Sequence, residues 1–344
     1  MKLWLAWGVA VGMSLAWAQP ERPIRVNKKE KKEPVTQALE ALPDPPAAIL
    51  GETTRLVFHV SPLSNKGLLS QQIRDALKAI DKANGGATLL KVRAFVAGNG
   101  DLRRVQQIIT EEFGEKRLPL PAVSTIQAGR LPMEGAQVVL ETVSLDTKSV
   151  NPRGLAFFSG TKTKNLGGAI QALTALEAVS GVSARGFVRV TCFLNAIDNP
   201  ATARQQVQMA FPAAAVHLLE LTRLGTEEIA SCEAVGRRDG PVLSEAVVRK
   251  EGVVLTSAAK LAFTGLQLAF RADDADLKLA EERLFKLVEG VKAQEVLFTS
   301  SYALRSSVRS RLADLHAGAG TALVFEGLPS LDALAAMEAV GALR

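Results

Sequence analysis

One pattern recurs three times in this chain and constrains its fold more than any other feature. "LPAVSTIQAGRLP" followed by "AQVVLETVSL" is matched by "AAAVHLLELTRLG" followed by "IASCEAVGRR", and again by "GTALVFEGLP" followed by "LAAMEAVGAL". Each copy reads as strand, tight turn, strand, with a glutamate at the same place: Glu141, Glu233 and Glu338. The copies lie roughly 100 residues apart, far beyond the 20–50-residue period of a solenoid, so the repeating unit is a domain. A chain of 344 residues has room for three.

The elements before each copy follow the same order. In the first, the strand "RLVFHV" precedes a helix with Leu69, Ile73, Leu77 and Ile80 on one face, stopped by Asn84-Gly85-Gly86. The strand "LLKVRAFVAG" and the helix "DLRRVQQIITEEF", with Asp101 as N-cap, follow. The second has "LAFFSG", a helix with Leu166, Ile170, Leu173 and Leu176 inward, "GFVRVTCFLN" and "ATARQQVQMAF". The third has "VVLTSAAKLAFTGLQLAF", a helix with Leu277, Leu284, Leu287 and Val291 on one face, "EVLFTSSYAL" and "SSVRSRLADLH". The order β-α-β-α-β-β predicts an α+β fold with helices on one face of each sheet.

Residues 1–18 have one lysine, an apolar stretch and Ala16-Trp17-Ala18, the pattern of a cleaved signal peptide. The stretch is short for a spanning helix, so no transmembrane segment is expected after cleavage. The expected location is periplasmic or secreted. Residues 19–50 are rich in proline and charge and read as a flexible tether. Domains are expected at 51–148, 149–240 and 241–344, the last the most divergent.

Of the formal charge of +6, Lys2 carries one and residues 19–34 carry three, so residues 35–344 at +2 are close to neutral. All three tryptophans lie in the signal, and Tyr302 is the only tyrosine. A nucleic-acid partner is therefore not expected, because single-strand binders pair a basic groove with stacking rings. His59, His217 and His316 fall one per repeat without metal-ligand spacing, and no metal or cofactor is expected. Cys192 and Cys232 are the only cysteines; they are expected as buried thiols, with a disulfide left open because only geometry decides it.

The element order, the "AFFSG" helix entry, the "VRAFV" and "VTCFL" strands and the "RLP…ETV" and "RLG…EAV" pairs resemble the RidA/YjgF family of enamine/imine deaminases. That resemblance implies three tandem chorismate-mutase-like domains forming a single-chain pseudo-trimer, a monomer in solution, with ligand clefts between repeats. It also implies an arginine that holds the substrate carboxylate by a bidentate contact. At the matching positions this chain has Val123, Val216 and Gly320, so the site reads as degenerate. The family's water-positioning glutamate maps in one register to Val139, Ser231 and Ala336, and in another to Glu141, Glu233 and Glu338. A shift of two keeps the strand face, so polarity does not choose.

Arg130 and Arg223 stand in the turns of the first two copies, where the third has Gly327. The expected function is binding of a small molecule, a carboxylate or imine, or a scaffold role through inter-repeat clefts. The alternative is an enamine/imine hydrolase using Arg130 or Arg223 as its cation. Whether the chain is an enzyme stays open on the sequence.

Overall fold

Runs such as "LLKVRAFV" and "FVRVTCFL" are apolar at nearly every position because their strands are covered on both faces. The computed structural model describes residues 42–98, 101–223, 229–315 and 319–343. The signal segment, most of the tether and His316 lie outside the described residues.

The first strand, β1 (Ala48–Glu52), begins in the segment expected as tether, at residues 48–50. Repeat one then runs β2 (Leu56–Val60), α1 (Leu69–Asn84), β3 (Thr88–Ala97), α2 (Leu102–Glu115), β4 (Ala122–Ala128) and β5 (Val138–Leu145). Repeat two runs β6 (Leu155–Phe158), α3 (Leu166–Thr174), α4 (Glu177–Ser180), β7 (Phe187–Leu194), α5 (Pro200–Ala210), β8 (Ala215–Glu220) and β9 (Ala230–Arg237). A hairpin, β10 (Val247–Lys250) and β11 (Val253–Thr256), follows. Repeat three runs β12 (Lys260–Thr264), β13 (Gln267–Ala269), α6 (Asp274–Gly290), β14 (Glu295–Ala303), α7 (Ser306–Leu315), β15 (Ala319–Val324) and β16 (Ala335–Leu343).

The three sheets repeat one strand order. It is β2-β5-β3-β4 in repeat one, β6-β9-β7-β8 in repeat two and β12-β16-β14-β15 in repeat three. In each, one pair is parallel (β3 with β4, β7 with β8, β14 with β15) and the others are antiparallel. A parallel pair needs a crossover, which α2, α5 and α7 supply. Even the irregularities match: the register shifts at Leu89/Lys91, Phe187/Arg189 and Val296/Phe298.

The edges differ. β10 and β11, which fall in the segment expected to open the third domain, extend the second sheet by pairing on β6. β1 pairs on β12 and so extends the third sheet, tying the chain's early segment to its last repeat.

Local sequence sets the element ends. Asp101, Asn165, Asn199 and Asp273 each accept a hydrogen bond from a first-turn backbone N–H, and Gly85 closes α1 at φ 59°. The helix expected from Leu166 through Leu176 ends at Thr174 and resumes as the short α4. On α6 Leu277 and Leu284 are buried as expected, but Val288 takes the next core position and Leu287 is only half-buried.

Each sheet has an outer face under its own helices and an inner face shared with the other two repeats. The outer cores stay within one repeat: Ile73, Ile80 and Ile109 in the first, Phe187, Val207 and Phe211 in the second. The inner cores mix all three. One joins Phe58, Phe157 and Phe263; the other joins Phe95, Phe193 and Tyr302. The last strand of each repeat's parallel pair lies beside the first strand of another repeat: β8 beside β2, β15 beside β6 and β4 beside β12. Residues 42–344 therefore form one compact unit.

Cys192 and Cys232 are directly opposed on β7 and β9 and form a disulfide in the outer core of repeat two. The expectation of buried free thiols is corrected. Period-2 alternation puts both side chains on the same face of neighbouring strands, within bridging distance, at a Cα separation of 4.1 Å.

Candidate functional site

The repeated glutamates meet at the centre of the molecule. Glu141 lies opposite Arg93, Glu233 opposite Thr191 and Glu338 opposite Ser300, so the register fixes one equivalent position on each inner face. Their partners are unevenly distributed. Arg93 alone reaches all three: its Nε donates to Glu141 Oε2 at 2.7 Å, its Nη2 to Glu141 and, at 2.6 Å, to Glu233 Oε1, and its Nη1 lies 3.6 Å from Glu338 Oε1. Nη1 also donates to Tyr302 Oη at 3.2 Å and to Ser300 Oγ at 3.3 Å.

Two further cations flank it. Lys91 Nζ contacts Glu338 Oε2 at 2.6 Å and Ser124 Oγ at 2.5 Å, and donates to the Thr264 carbonyl at 2.6 Å. Arg189, at the equivalent register in repeat two, lies 3.7 Å from Glu141 and 3.8 Å from Glu233. His217 Nδ1 is 2.7 Å from Glu141 Oε1, to which Thr191 Oγ1 also donates at 2.5 Å. Tyr302 donates to Glu338 Oε1 at 2.6 Å. Three cations thus face three carboxylates.

Burial and charge compete at Glu141, Glu338, Lys91, His217 and Arg93. Burial pushes the Glu141 carboxyl up, yet Arg93, Arg189 and the His217 hydrogen bond together hold it well below the usual carboxylate range. The same contest leaves Glu338 lowered, through Lys91 and Arg93. Burial lowers Lys91 and His217, each only partly offset by its glutamate, so His217 is neutral at neutral pH. Arg93 is raised despite burial, by Glu141 first. Burial, reinforced by Glu338, raises the Tyr302 hydroxyl.

A cavity of about 40 Å³ lies beside these groups, walled by Phe58, Phe157 and Phe263. That volume suits water-sized occupants, so the belt is an internal ion network rather than a chamber for an organic substrate.

The positions matched to the family arginine lie elsewhere. Val123, Val216 and Gly320 occupy one equivalent register beside β3, β7 and β14. Val123 and Val216 pack in the outer, helix-facing cores rather than beside the glutamates. All three sit at the boundaries between repeats: the Val123 carbonyl faces Gly265 of β12's end, and Gly320 N–H donates to Ser159 Oγ. Val139 and Ala336 belong to the central apolar cluster, and Ser231, at the equivalent register opposite Phe193, is buried.

Arg130 and Arg223 clasp neighbouring repeats. Arg130 Nη2 lies 2.9 Å from Glu220 Oε2 in repeat two, and Arg223 Nε lies 3.2 Å from Glu326 Oε2 in repeat three. The backbone continues the pattern from repeat one to repeat three, where Gln127 N–H donates to the Gly327 carbonyl at 2.9 Å.

At the boundary of β2 and β8 the molecule opens into a cleft of about 780 Å³. Its walls come from repeat one (Val60, Leu63, Met133, Val139) and repeat two (Pro200, Arg204, Val216, Leu218). Among the described residues Arg204 is its one charged lining residue. Two of its polar side chains are engaged: Ser61 Oγ accepts from Leu140 N–H and Asn199 Oδ1 from Thr202 N–H. At the corresponding boundary of β6 and β15 the chains are bonded directly, through Gly320 to Ser159 and Gly160 to Thr321 Oγ1.

These features define a mixed α+β protein in which three sheets of one repeated strand order surround a buried ion network. No family model matches the chain, and no curated protein matches it. Among solved structures it is similar to a cyanuric acid hydrolase described as an innovation by structural concatenation, at 10% identity over 84% of this chain and 100% of that one, with a TM-score of 0.24. A chorismatase aligns at 10% identity over 84% of this chain and 99% of that one, with a TM-score of 0.24. An uncharacterised protein from Pseudomonas aeruginosa aligns at 22% identity over 27% of this chain and 84% of that one, with a TM-score of 0.22. Likenesses this low carry no argument about activity.

The expected membership of the RidA/YjgF family is corrected, since no family model matches and the structures aligned over most of the chain are named cyanuric acid hydrolase and chorismatase. The motifs that suggested it are short apolar strands and turns, which any doubly covered sheet of this order requires. Among the described residues no helix is long and apolar enough to cross a membrane.

Proposed function

We propose that the chain is an exported, single-chain pseudo-trimer that binds a small carboxylate in the cleft between repeats one and two, without chemistry of its own. The cleft carries this reading. It is built from two repeats and apolar along most of its wall, as ligand sites are, and Arg204 is its only charged group among the described residues. With Ser61 and Asn199 engaged by backbone N–H groups, its wall offers no activated nucleophile or proton-transfer pair. The disulfide supports an oxidising compartment, and the boundaries between repeats, already filled within one chain, support a monomer. The hydrolase alternative draws no support, because Arg130 and Arg223 are paired with Glu220 and Glu326.

Isothermal titration of the mature protein with pyruvate tests the reading. Saturable binding that Arg204→Ala weakens by about tenfold or more is expected, alongside no acceleration of imine or enamine hydrolysis. Absence of binding, or binding indifferent to Arg204→Ala, overturns it.

A further inference from the structure

Repeats one and two fill one place in their outer cores differently. In repeat two, Phe158, Phe187 and Phe211 pack as a cluster, with ring centroids 4.9 Å apart for the first pair and 4.5 Å for the second. The register makes His59, Leu89 and Phe113 their counterparts in repeat one: His59 and Phe158 occupy the same place on β2 and β6, and Leu89 and Phe187 the same place before the bulge of β3 and β7. Phe113 and Phe211 each stand twelve residues after the N-cap, Asp101 or Asn199. The central ring of the cluster is therefore missing from repeat one.

A pocket of about 150 Å³ lies at that place, between the C-terminal ends of α1 and α2 and the start of β3. Leu77, Ile80, Leu89, Phe113 and Leu118 form its apolar wall. Interiors are close-packed, and a void forfeits the contacts of its lining. An apolar cavity of comparable size accepts a benzene-sized ring. Asn84, also on the wall, donates through Nδ2 to Ser144 Oγ at 2.8 Å. Repeat two has Gly236 where Ser144 stands, and its space is taken by Val182 and Phe158.

We infer that this pocket is a second binding site, separate from the inter-repeat cleft, for a molecule with a single aromatic ring. The ring takes the place that Phe187 fills in repeat two.

Amide chemical-shift titration of the full mature chain with phenol, and with toluene as the donor-free probe, tests this. Phenol is expected to shift the amides of Leu89, Phe113 and Leu118 saturably. Leu89→Phe, which supplies the missing ring, is expected to weaken phenol by about tenfold or more while keeping or raising the unfolding midpoint. Toluene is expected to shift the same amides. Should Leu89→Phe fail to fold, Leu118→Trp, placed at a half-exposed position on the rim, provides the same block. No saturable shift at those amides in the wild type overturns the inference. So does phenol binding that survives the folded blocking variant.

Discussion

Repeats one and two share a strand order, a bulge and a register, yet nearly every residue of consequence differs between them. At the inner position facing the conserved-in-place glutamate, repeat one has Arg93 and repeat two Thr191. On the parallel neighbour repeat one has Ser124 and repeat two His217. In the outer core the cross-strand pair is Ala94–Leu140 in one and Cys192–Cys232 in the other. The difference teaches that a backbone repeated three times does not need its chemistry three times: one guanidinium serves three carboxylates because the inner faces converge. Exchanging residues between equivalent positions tests that division.

The largest effect is expected from Arg93→Thr, which gives repeat one the residue of repeat two. Glu141 and Glu233 would lose their closest cation and remain buried. Removing one partner of a buried pair typically costs about 3–5 kcal/mol, and a drop of that order in the urea unfolding free energy is expected. In repeat two, Thr191→Val removes one hydrogen bond to Glu141, for which about 1–3 kcal/mol is the usual cost of a charged acceptor's lost donor. Equal losses for the two variants would break the claim that Arg93 serves all three repeats.

The next effect lies in the outer core. Cys192→Ala with Cys232→Leu copies the Ala94–Leu140 pair of repeat one into repeat two. Loss of a disulfide closing a loop of this kind costs about 2–4 kcal/mol, and the leucine recovers part of it by filling the space. A loss near 2 kcal/mol in denaturant unfolding is expected. An unchanged midpoint would show that the bond contributes nothing to the folded form.

Much of this organisation was legible in the sequence. The three glutamates were found at equivalent places because the turns before them repeat, and the stripe of Ile73, Leu77 and Ile80 marked α1's buried face. The partner of the glutamates was missed although a signal existed. Lys91 and Arg93 stand two apart inside an otherwise apolar strand, so both point to one face, and a strand covered on both sides cannot leave them in water. That face had to contain carboxylates. The inter-repeat cleft was harder to read, because its size depends on how closely β2 and β8 approach. Val60 and Val216 line it, where Ser159 and Gly320 hydrogen-bond at the corresponding boundary, and a sequence does not state which strand faces which. The family resemblance failed because strand patterning reports the layer structure of a sheet and not its lineage.

The smallest effect concerns protons at His217. Its folded pKa lies below the ordinary 6.5 because burial outweighs the help of Glu141, with Arg93 and Arg189 adding to the lowering. The unfolded chain therefore binds more protons in the window below 6.5, and stability must fall as pH drops from about 6.5 toward the folded value. Above that window the contribution is fully present. His59, also lowered by burial and half-buried beside Asp146, adds a share of the same sign. Glu141 acts in a lower window: its folded pKa is depressed, so its contribution is intact above the ordinary 4.5 and is lost as pH falls through the folded value. His217→Ser, which installs the residue of repeat one, removes the first share, leaves that of His59, and takes away one of the hydrogen bonds that lower Glu141, which acts only in the lower window. Urea midpoints measured between about pH 8 and pH 5 should therefore decline less steeply for the variant than for the wild type. A variant whose decline between pH 8 and pH 5 matches the wild type would mean that His217 titrates alike in both states, and that its 2.7 Å contact with Glu141 offsets its burial in full.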